Sequence, residues 1–287
     1  MTSGGPNVNI TFYGVRGSTP CASGDNARYG GNTSSVVVET PDSPPILLDL
    51  GTGLRYYGET IPSDEPLRAV ALVSHLHWDH VQGLPFFTPV LLPGSRLDIY
   101  SPPPGCDMTL AQAFHQSLRP PYFPVRLSDL RGEFGFHEVQ PGSFTVGEVT
   151  VTVACVPHVG LTAGFRLDWR GRSVAFIPDH QQPSDGSMDV APSVLNLAAG
   201  ADLLIHDAQY TSEEFRAKSD WGHSTVEYAV EVGSRAEVGM LALFHHDPAH
   251  SDDFVDSLAA EARSANGNRS MEIFAAHEGL TVTLAAH

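Results

Sequence analysis

The sequence predicts an α/β protein in which two β-sheets carry helices on their outer sides, folded as a single domain over residues 1–287. Strand-like runs of β-branched or alternating apolar residues recur along the chain, and helix-like segments lie between them. A chain of 287 residues has room for one large α/β domain or two small ones. We find no repeat and no low-complexity linker, so one domain of packed layers accommodates the elements. The strand order within the sheets does not follow from the sequence.

The first part of the chain reads mainly as strands, because apolar and β-branched residues dominate each run. The predicted strands cover residues 8–14, 34–40, 44–51, 67–74, 96–101, 144–156, 162–169 and 172–178. The stretch 85–124 is dense in proline. Proline breaks regular elements, so this stretch indicates a rigid surface excursion.

Strands and helices alternate in the last third of the chain. The predicted strands are 201–208, 238–246, 271–279 and 280–286, and the predicted helices run from about 224 to 235 and from about 252 to 265. Ser224 and Glu227 have the spacing of a capping box. This spacing predicts that the first of the two helices begins at Ser224.

Composition and charge limit the kinds of partner that the protein is expected to bind. The chain is 41% hydrophobic and 17% charged, which is typical of a globular protein, and its formal net charge is −17. Non-specific binding of long nucleic acid needs many Lys and Arg contacts to phosphates. Because this chain is strongly acidic, long nucleic acid is not an expected partner. A small anionic substrate that is held by metal remains compatible with this charge.

Cysteine usage and the amino-terminal segment indicate a cytoplasmic protein. Cys21, Cys106 and Cys155 are widely spaced, which argues against a disulfide framework and against a Cys-rich zinc site. The first residues are polar and Gly-rich, and no window approaches 18 apolar residues. We therefore expect no secretion signal and no membrane partner.

The stretch SHLHWDH, residues 74–80, follows an apolar run directly. Alternate residues of an extended chain share a face, so His75 and His77 point at one spot beyond the strand end. Asp79 and His80 follow as the chain turns toward a helix, and they project to a neighbouring spot. Imidazole and carboxylate bind zinc, manganese or iron, and four such groups exceed what a mononuclear site usually takes from one loop. The motif therefore predicts two metals.

Complementary ligands stand at the ends of later strands. His158, Asp179 and His245 each close a buried-looking strand. His246 is adjacent to His245 and competes with it for the same role. A shared metal site could collect these side chains.

The arrangement His-x-His-x-Asp-His, then a lone His, a lone Asp and a last His, resembles the metallo-β-lactamase superfamily, whose fold is an αββα sandwich with a dinuclear site along one edge. The resemblance divides the seven ligands between two divalent ions: His75, His77 and His158 for one, Asp79, His80 and His245 for the other, and Asp179 between them. It also gives Asp49 a supporting role behind the ligand loops. Zinc is the expected metal, with manganese or iron as alternatives.

Two further segments resemble the ribonuclease Z and phosphodiesterase branch of that superfamily. WGHSTVEYA contains His223 ahead of a helix, and LLIHDAQYT contains Asp207 after a strand. The resemblance makes His223 a general acid that Asp207 keeps protonated and aimed, and Asp79 is counted with them as catalytic. His77 stands where redox members of the fold have glutamate, which argues against redox chemistry.

The expected reaction is hydrolysis of a small phosphodiester, with cyclic nucleotides as first candidates. A hydroxide held between the two metals would attack phosphorus while His223 protonates the departing oxygen. Asp179 follows His158 by 21 positions, which leaves no room for the RNA-binding arm that many bacterial ribonuclease Z enzymes carry there.

Several alternatives stay open. They are a ribonuclease Z-type endonuclease, a metal-dependent hydrolase of another ester, a lactone, a thioester or a β-lactam, and a non-catalytic metal-bound binding protein. Arg16 and Asn32 lie in early loops, where contact with substrate and structural turn roles are equally compatible with the sequence. The resemblance also suggests a homodimer.

Overall fold

A computed structural model describes residues 6–267 and 270–286, and fourteen strands lie within these ranges. In chain order they are β1 (Asn7–Gly14), β2 (Ser35–Glu39), β3 (Ile46–Leu48), β4 (Arg68–Leu72), β5 (Arg96–Ser101), β6 (Glu133–Glu138), β7 (Gly142–Val146), β8 (Val149–Cys155), β9 (Ala163–Trp169), β10 (Arg172–Ile177), β11 (Leu203–Asp207), β12 (Met240–Phe244), β13 (Glu272–Ala275) and β14 (Thr281–Ala285).

The strands form two mixed sheets of seven. The first has the order β14-β1-β2-β3-β4-β5-β6 and the second β13-β12-β11-β10-β9-β8-β7. From β14 to β3 the neighbours of the first sheet are antiparallel, and from β3 to β6 they are parallel. The second sheet repeats this pattern, antiparallel from β7 to β10 and parallel from β10 to β13. The parallel parts bring several carboxyl strand ends to one edge, where ligand-binding residues commonly collect.

Seven α-helices flank the sheets within the described residues: α1 (Leu54–Thr60), α2 (Trp78–Val81), α3 (Leu110–Ser117), α4 (Pro192–Ala198), α5 (Ser212–Lys218), α6 (Val226–Arg235) and α7 (Asp252–Asn266). One buried cluster lies between the sheets, where Phe244 packs 6.2 Å from Phe12 and 5.9 Å from Phe176, measured between ring centroids. A second cluster joins the other face of the second sheet to α4, α6 and α7. A third joins the first sheet to α1 and α3. These four layers confirm the predicted αββα sandwich.

The predicted strand 144–156 is wrong in one respect, because the structure divides it into β7 and β8. Gly147 has φ +56° and sits in the tight turn that joins these two antiparallel strands. The left-handed backbone conformation suits glycine, which lacks a Cβ atom. The alternating apolar pattern continues through the turn, so periodicity alone did not reveal it.

The predicted start of the helix near residue 224 is two residues early, because α6 begins at Val226. Thr225 is the N-cap, and its hydroxyl oxygen accepts a hydrogen bond from the N–H of Tyr228. The Ser224 hydroxyl instead donates to the carbonyl oxygen of His180. A serine one position earlier was therefore mistaken for the cap, because its own hydrogen bond is non-local.

The proline-dense stretch 85–124 contains the predicted strand 96–101 as β5, and it also contains a helix that was not predicted, α3. Thr109 and Gln112 form a reciprocal capping box that starts α3. Pro85 and Pro89 occupy early positions of two short 3-10 turns, where a missing N–H costs little. Within residues 6–267 and 270–286, no helix combines the length and the apolar character required to span a bilayer.

Candidate metal centre

The predicted site residues meet at one edge of the sandwich, because both sheets end strands there. The segment 74–80 leaves β4 of the first sheet. His158 follows β8, Asp179 follows β10, Asp207 ends β11 and His245 follows β12, all in the second sheet. The site therefore takes its donors from both sheets.

The first cluster contains His75, His77, His158 and Asp179, whose donor atoms lie within 4.8 Å of one another. Nε2 of His75 lies 2.7 Å from Nδ1 of His77, which in turn lies 3.4 Å from Nε2 of His158. Oδ2 of Asp179 lies 3.7 Å from Nε2 of His75 and 3.5 Å from Nε2 of His158. Three imidazoles and one carboxylate oxygen thus converge on one point.

The second cluster contains Asp79, His80 and His245, again within 4.8 Å. Oδ2 of Asp79 lies 3.2 Å from Nε2 of His80 and 3.1 Å from Nε2 of His245. The other carboxylate oxygen of Asp179, Oδ1, lies 3.1 Å from Nε2 of His80 and 3.3 Å from Nε2 of His245. Asp179 therefore turns one oxygen toward each cluster, which is the geometry of a bridging ligand.

Two buried atoms at the junction of the clusters lack hydrogen-bond partners among the residues that the structure describes. They are Nε2 of His80 and Oδ1 of Asp179. A buried polar atom without a partner costs free energy, so such an atom in a folded protein requires an explanation. Here the unpartnered atoms are the donors that the second cluster turns inward, and a divalent cation accepts electron pairs from such a set. The residues fit a dinuclear metal centre.

The electrostatics of the clusters suit cation binding. Burial lowers the pKa of His75 well below its ordinary value and also lowers the pKa of His158, which favours the neutral imidazole that metals bind. Burial opposes the charged form of His80 and His245 as well. There, however, the carboxylate of Asp179 prevails: it raises the pKa of His80 well above the ordinary value and that of His245 to about 9. Positive charge is therefore stabilised at the second cluster.

Asp49 supports the second cluster from behind. Its Oδ2 accepts a hydrogen bond from Nδ1 of His80 at 2.6 Å and from the Ser34 hydroxyl at 2.7 Å. Its Oδ1 accepts the backbone N–H of Ser74 at 2.8 Å. These contacts orient the His80 ring so that Nε2 faces the site, which is how outer carboxylates usually hold metal-binding histidines. Asp49 has φ +59°, so the backbone is strained to bring its side chain there.

Gln209 and the segment after β1 fix the other side of this cluster. Nδ1 of His245 donates to Oε1 of Gln209 at 2.8 Å, and His245 has φ +60°. The backbone N–H of Ser18, a residue with φ +60°, donates to Oδ2 of Asp79 at 2.8 Å. Gly17 lies directly against the His245 ring. The sequence did not single out Ser18 or Gln209; the position of Gln209, just after the strand end at Asp207, was the available signal.

Three residues that the sequence left open lie outside the clusters. Nε2 of His246 donates to the carbonyl oxygen of Ala276 at 3.0 Å, so this histidine faces away from the metal donors. The Arg16 guanidinium is fully buried and donates to backbone carbonyl oxygens, including that of His250 at 2.8 Å. Asn32 binds the carboxylate of Glu278 at 2.9 Å. Arg16 and Asn32 serve the packing of loops and do not line the site.

His223 and Asp207 form a pair beside the clusters. Nδ1 of His223 donates to Oδ2 of Asp207 at 2.9 Å. The same carboxylate accepts the backbone N–H groups of His180 at 3.1 Å and of Gln209 at 3.0 Å, so it is held on three sides. His223 also lies near Asp179 and His245 in a third group of donor atoms within 4.8 Å. Because Asp207 occupies Nδ1, the remaining nitrogen of His223, Nε2, is available to the site.

A solvent-filled pocket opens onto this centre. Its volume is about 440 Å³, and it is lined by Ser18, Leu76, His77, Trp78, Asp79, Asp179 and His223. Nδ1 of His158 donates to the carbonyl oxygen of Gly222 at 2.6 Å, which ties the segment before His223 to the first cluster. The pocket thus places proposed metal ligands and the His223 side chain around one space.

Comparisons with known proteins agree with the fold. A family model described as a beta-lactamase superfamily domain matches residues 46–246. A ribonuclease Z of Sulfolobus acidocaldarius is 29% identical over 271 residues, covering 82% of this chain and 87% of that protein.

Two solved structures share the fold at 20% identity. The metallo-β-lactamase fold protein YhfI from Bacillus subtilis has a TM-score of 0.72, and the match covers 97% of this chain and all of that one. Human tRNase Z, short form, has a TM-score of 0.68, with coverages of 96% and 98%. Because the family model spans well over half of its residues, the chain belongs to the β-lactamase superfamily.

Proposed function

We propose that this protein is a phosphodiesterase that uses two divalent metal ions, zinc foremost, to hydrolyse a small phosphodiester such as a cyclic nucleotide. Its family and its ribonuclease Z relatives make it a metal-dependent hydrolase. One observation carries the finer proposal: His223, backed by Asp207, lines the metal pocket but is not needed in either ligand set. Hydrolysis of an ester with a poor leaving group gains from such a positioned acid.

The residues divide the work between binding and proton transfer. His75, His77 and His158 would hold one ion, the second cluster would hold the other, and Asp179 would contact both. When bound, two such ions supply a nucleophile at neutral pH and take up charge on phosphoryl oxygens. The chain itself contributes His223, which lines the pocket and whose Nε2 would donate a proton to the departing oxygen.

Asp207 acts on this step only through His223. Its carboxylate cannot rotate freely, because the N–H groups of His180 and Gln209 hold it while Nδ1 of His223 donates to it. The ring of His223 is therefore held through Nδ1, and Nε2 would be the nitrogen that meets the substrate. This is the geometry that a general acid with an orienting carboxylate requires. Asp79 would serve as a ligand next to the reacting phosphate.

A small substrate suits the described part of the chain better than a long RNA. The segment between His158 and Asp179 mainly forms the antiparallel hairpin of β9 and β10. A two-residue turn, Arg170 and Gly171, connects these strands. No arm protrudes from that hairpin. The net charge of −17 also opposes a polyanion. Cleavage of RNA is nevertheless the second candidate, because the curated relatives are named ribonuclease Z.

Turnover of bis(p-nitrophenyl) phosphate tests the proposal. Protein that is loaded with zinc or manganese should release nitrophenolate, and metal-stripped protein should not. His223→Ala should keep both metals and lose about 10²–10⁴ in kcat on a cyclic nucleotide, whose departing alkoxide needs a proton. It should lose far less on bis(p-nitrophenyl) phosphate, because nitrophenolate leaves without a proton. His115→Ala is the matched control, because His115 is exposed and bonds only its own helix through the Ala111 carbonyl. A His223→Ala variant that loses a metal would make His223 a ligand and refute its assignment as the acid.

Further assays separate the rival functions. Cleavage of a tRNA precursor with a 3′ trailer, without turnover of small diesters, would favour the ribonuclease reading. Hydrolysis of a β-lactam, a lactone or a thioester that His223→Ala leaves unchanged would favour an acyl hydrolase. Two bound metals without turnover of any ester would favour a binding protein. The homodimer stays a prediction, which sedimentation velocity tests.

A further inference from the structure

Trp78 stands at the mouth of the metal pocket with most of its indole in solvent. It is 79% exposed, although tryptophan side chains are largely buried on average. Among the described residues, no aromatic ring and no cation packs on it. Its backbone is fixed, because Trp78 begins α2 and its carbonyl oxygen accepts the N–H of Gln82 at 2.8 Å. His77 and Asp79, the residues before and after it, belong to the two clusters, so the backbone position of Trp78 is fixed relative to the metal centre.

Trp78 also borders a second depression. An apolar groove of about 110 Å³ adjoins the metal pocket, and Leu76 and Trp78 line both. The rest of the groove comes from Val81 and from Ala113, Phe114 and Ser117 of α3. A planar group that leaves the metal pocket across the indole would therefore enter an apolar recess of limited size.

The charge around the centre limits what the metal pocket accepts. Asp79 and Asp179 line the pocket, and two more carboxylates, Asp49 and Asp207, lie behind it against His80 and His223. Two divalent cations would balance these four charges. None of the residues that line the pocket is an arginine or a lysine. A phosphate monoester or a polyphosphate would bring two or more negative charges, and a protonated His223 would be the one cationic side chain of the lining to meet them. A phosphodiester brings only one.

We propose that Trp78 stacks on the nucleobase of a monoanionic nucleoside phosphodiester, with the base over the indole and its edge in the apolar groove, while the phosphate occupies the metal pocket. Stacking on an aromatic side chain suits every base, because each has a π-face. The indole is rigid and already exposed, so little side-chain order has to be gained on binding. This inference rests on the proposed phosphodiesterase function.

Two substrates with the same leaving group test it: thymidine 5′-(p-nitrophenyl phosphate) and methyl p-nitrophenyl phosphate. The ratio of their kcat/KM values measures the benefit of the base and cancels losses that affect both substrates. Trp78→Ala should lower this ratio about 5- to 150-fold, mainly through KM, which is the range for loss of one base stack. Trp78→Phe should retain most of it. Tyr122→Ala is the control, since Tyr122 is also 79% exposed but lies outside both depressions.

A second variant keeps the test independent of the Trp78 loop. Ala113→Phe fills the groove from α3 and should also lower the ratio. The zinc content of each variant verifies that the metal centre is intact. An unchanged ratio in Trp78→Ala refutes the stacking role while the phosphodiesterase function stands. Loss of both activities with an unchanged ratio also refutes it, because Trp78 would then only support the ligand loop. Absence of turnover of both substrates by wild-type protein with two metals overturns the function and this inference together.

Discussion

Gly17→Ala should weaken one metal site and spare the other. A Cβ atom at position 17 would lie 2.2 Å from Nδ1 of His245, 2.4 Å from its Cε1 and 2.8 Å from Oε1 of Gln209. Ordinary contact begins near 3.4 Å, so the ring has to move by about 1.2 Å. The ring is fully buried and held between Gln209 and Asp79, and thus it cannot move without losing its position in the second cluster.

The displacement sets the size of the effect. Metal–ligand distances tolerate only about 0.2 Å, several times less than the movement required here. Disturbing the residues that orient a ligand usually costs about 10–100-fold in metal affinity, or ~1.4–2.7 kcal/mol. The loss should fall on the ion bound by Asp79, His80 and His245. The ion bound by His75, His77 and His158 should keep its affinity.

Zinc titration in a chelator-buffered series measures both affinities, and mass spectrometry of dialysed protein counts the ions. Gly24→Ala is the matched control, because a Cβ at that position meets nothing within 4 Å. Circular dichroism verifies that the Gly17→Ala chain is folded. Wild-type affinity for two ions in a folded Gly17→Ala protein would refute the assignment of His245 as a ligand.

Three further outcomes follow from the structure. Asp49→Asn keeps the shape of the side chain and tolerates its left-handed backbone, but it places an amide donor against the donors around it, including His80; zinc affinity should fall about 10–100-fold, and unchanged affinity in a chelator competition would contradict this. Arg16→Met removes the cation that meets buried carbonyl groups and the buried side of Asp252, and should cost about 3–5 kcal/mol in urea unfolding; an unchanged unfolding midpoint would argue against a structural role for Arg16. Metal removal by a chelator should lower the Tm by on the order of 10 °C, since a site held at a thousand times its Kd contributes about 4 kcal/mol; equal Tm values with and without chelator would show that the ions do not bind the folded state preferentially.

Local patterns explain why most of the strands and the compact histidine motif were predictable. In residues 74–80 the alternation of a strand end places His75 and His77 on one face, and no distant contact is required to see this. β1, β5 and β10 likewise follow from their own apolar runs. Two elements with weak patterns were missed because non-local contacts stabilise them: β6 pairs with β5 in the first sheet, and α3 packs on that sheet.

Non-local contacts explain what the sequence did not reveal. Ser18 reaches Asp79 only because the segment after β1 runs beside the end of β12, where the N–H of Gly17 donates to the carbonyl oxygen of His246. Arg16 has the chemistry of a substrate contact, yet its side chain turns inward, and no local pattern records that direction. The sequence is equally compatible with Trp78 in the core and Trp78 in solvent, and only the structure shows that its side chain is exposed at the mouth of the pocket.

The division of the ligands between the two sheets also governs when the centre can form. Each cluster joins donors carried by β4 to donors that follow strands of the other sheet, and the last of them is His245. A bound ion therefore closes long loops, in the manner of a crosslink between halves of the chain that are far apart in sequence. We therefore expect metal uptake to be a late event in folding. Once bound, the ions should slow the separation of the sheets, so that the protein unfolds more slowly than it would with its apolar core alone.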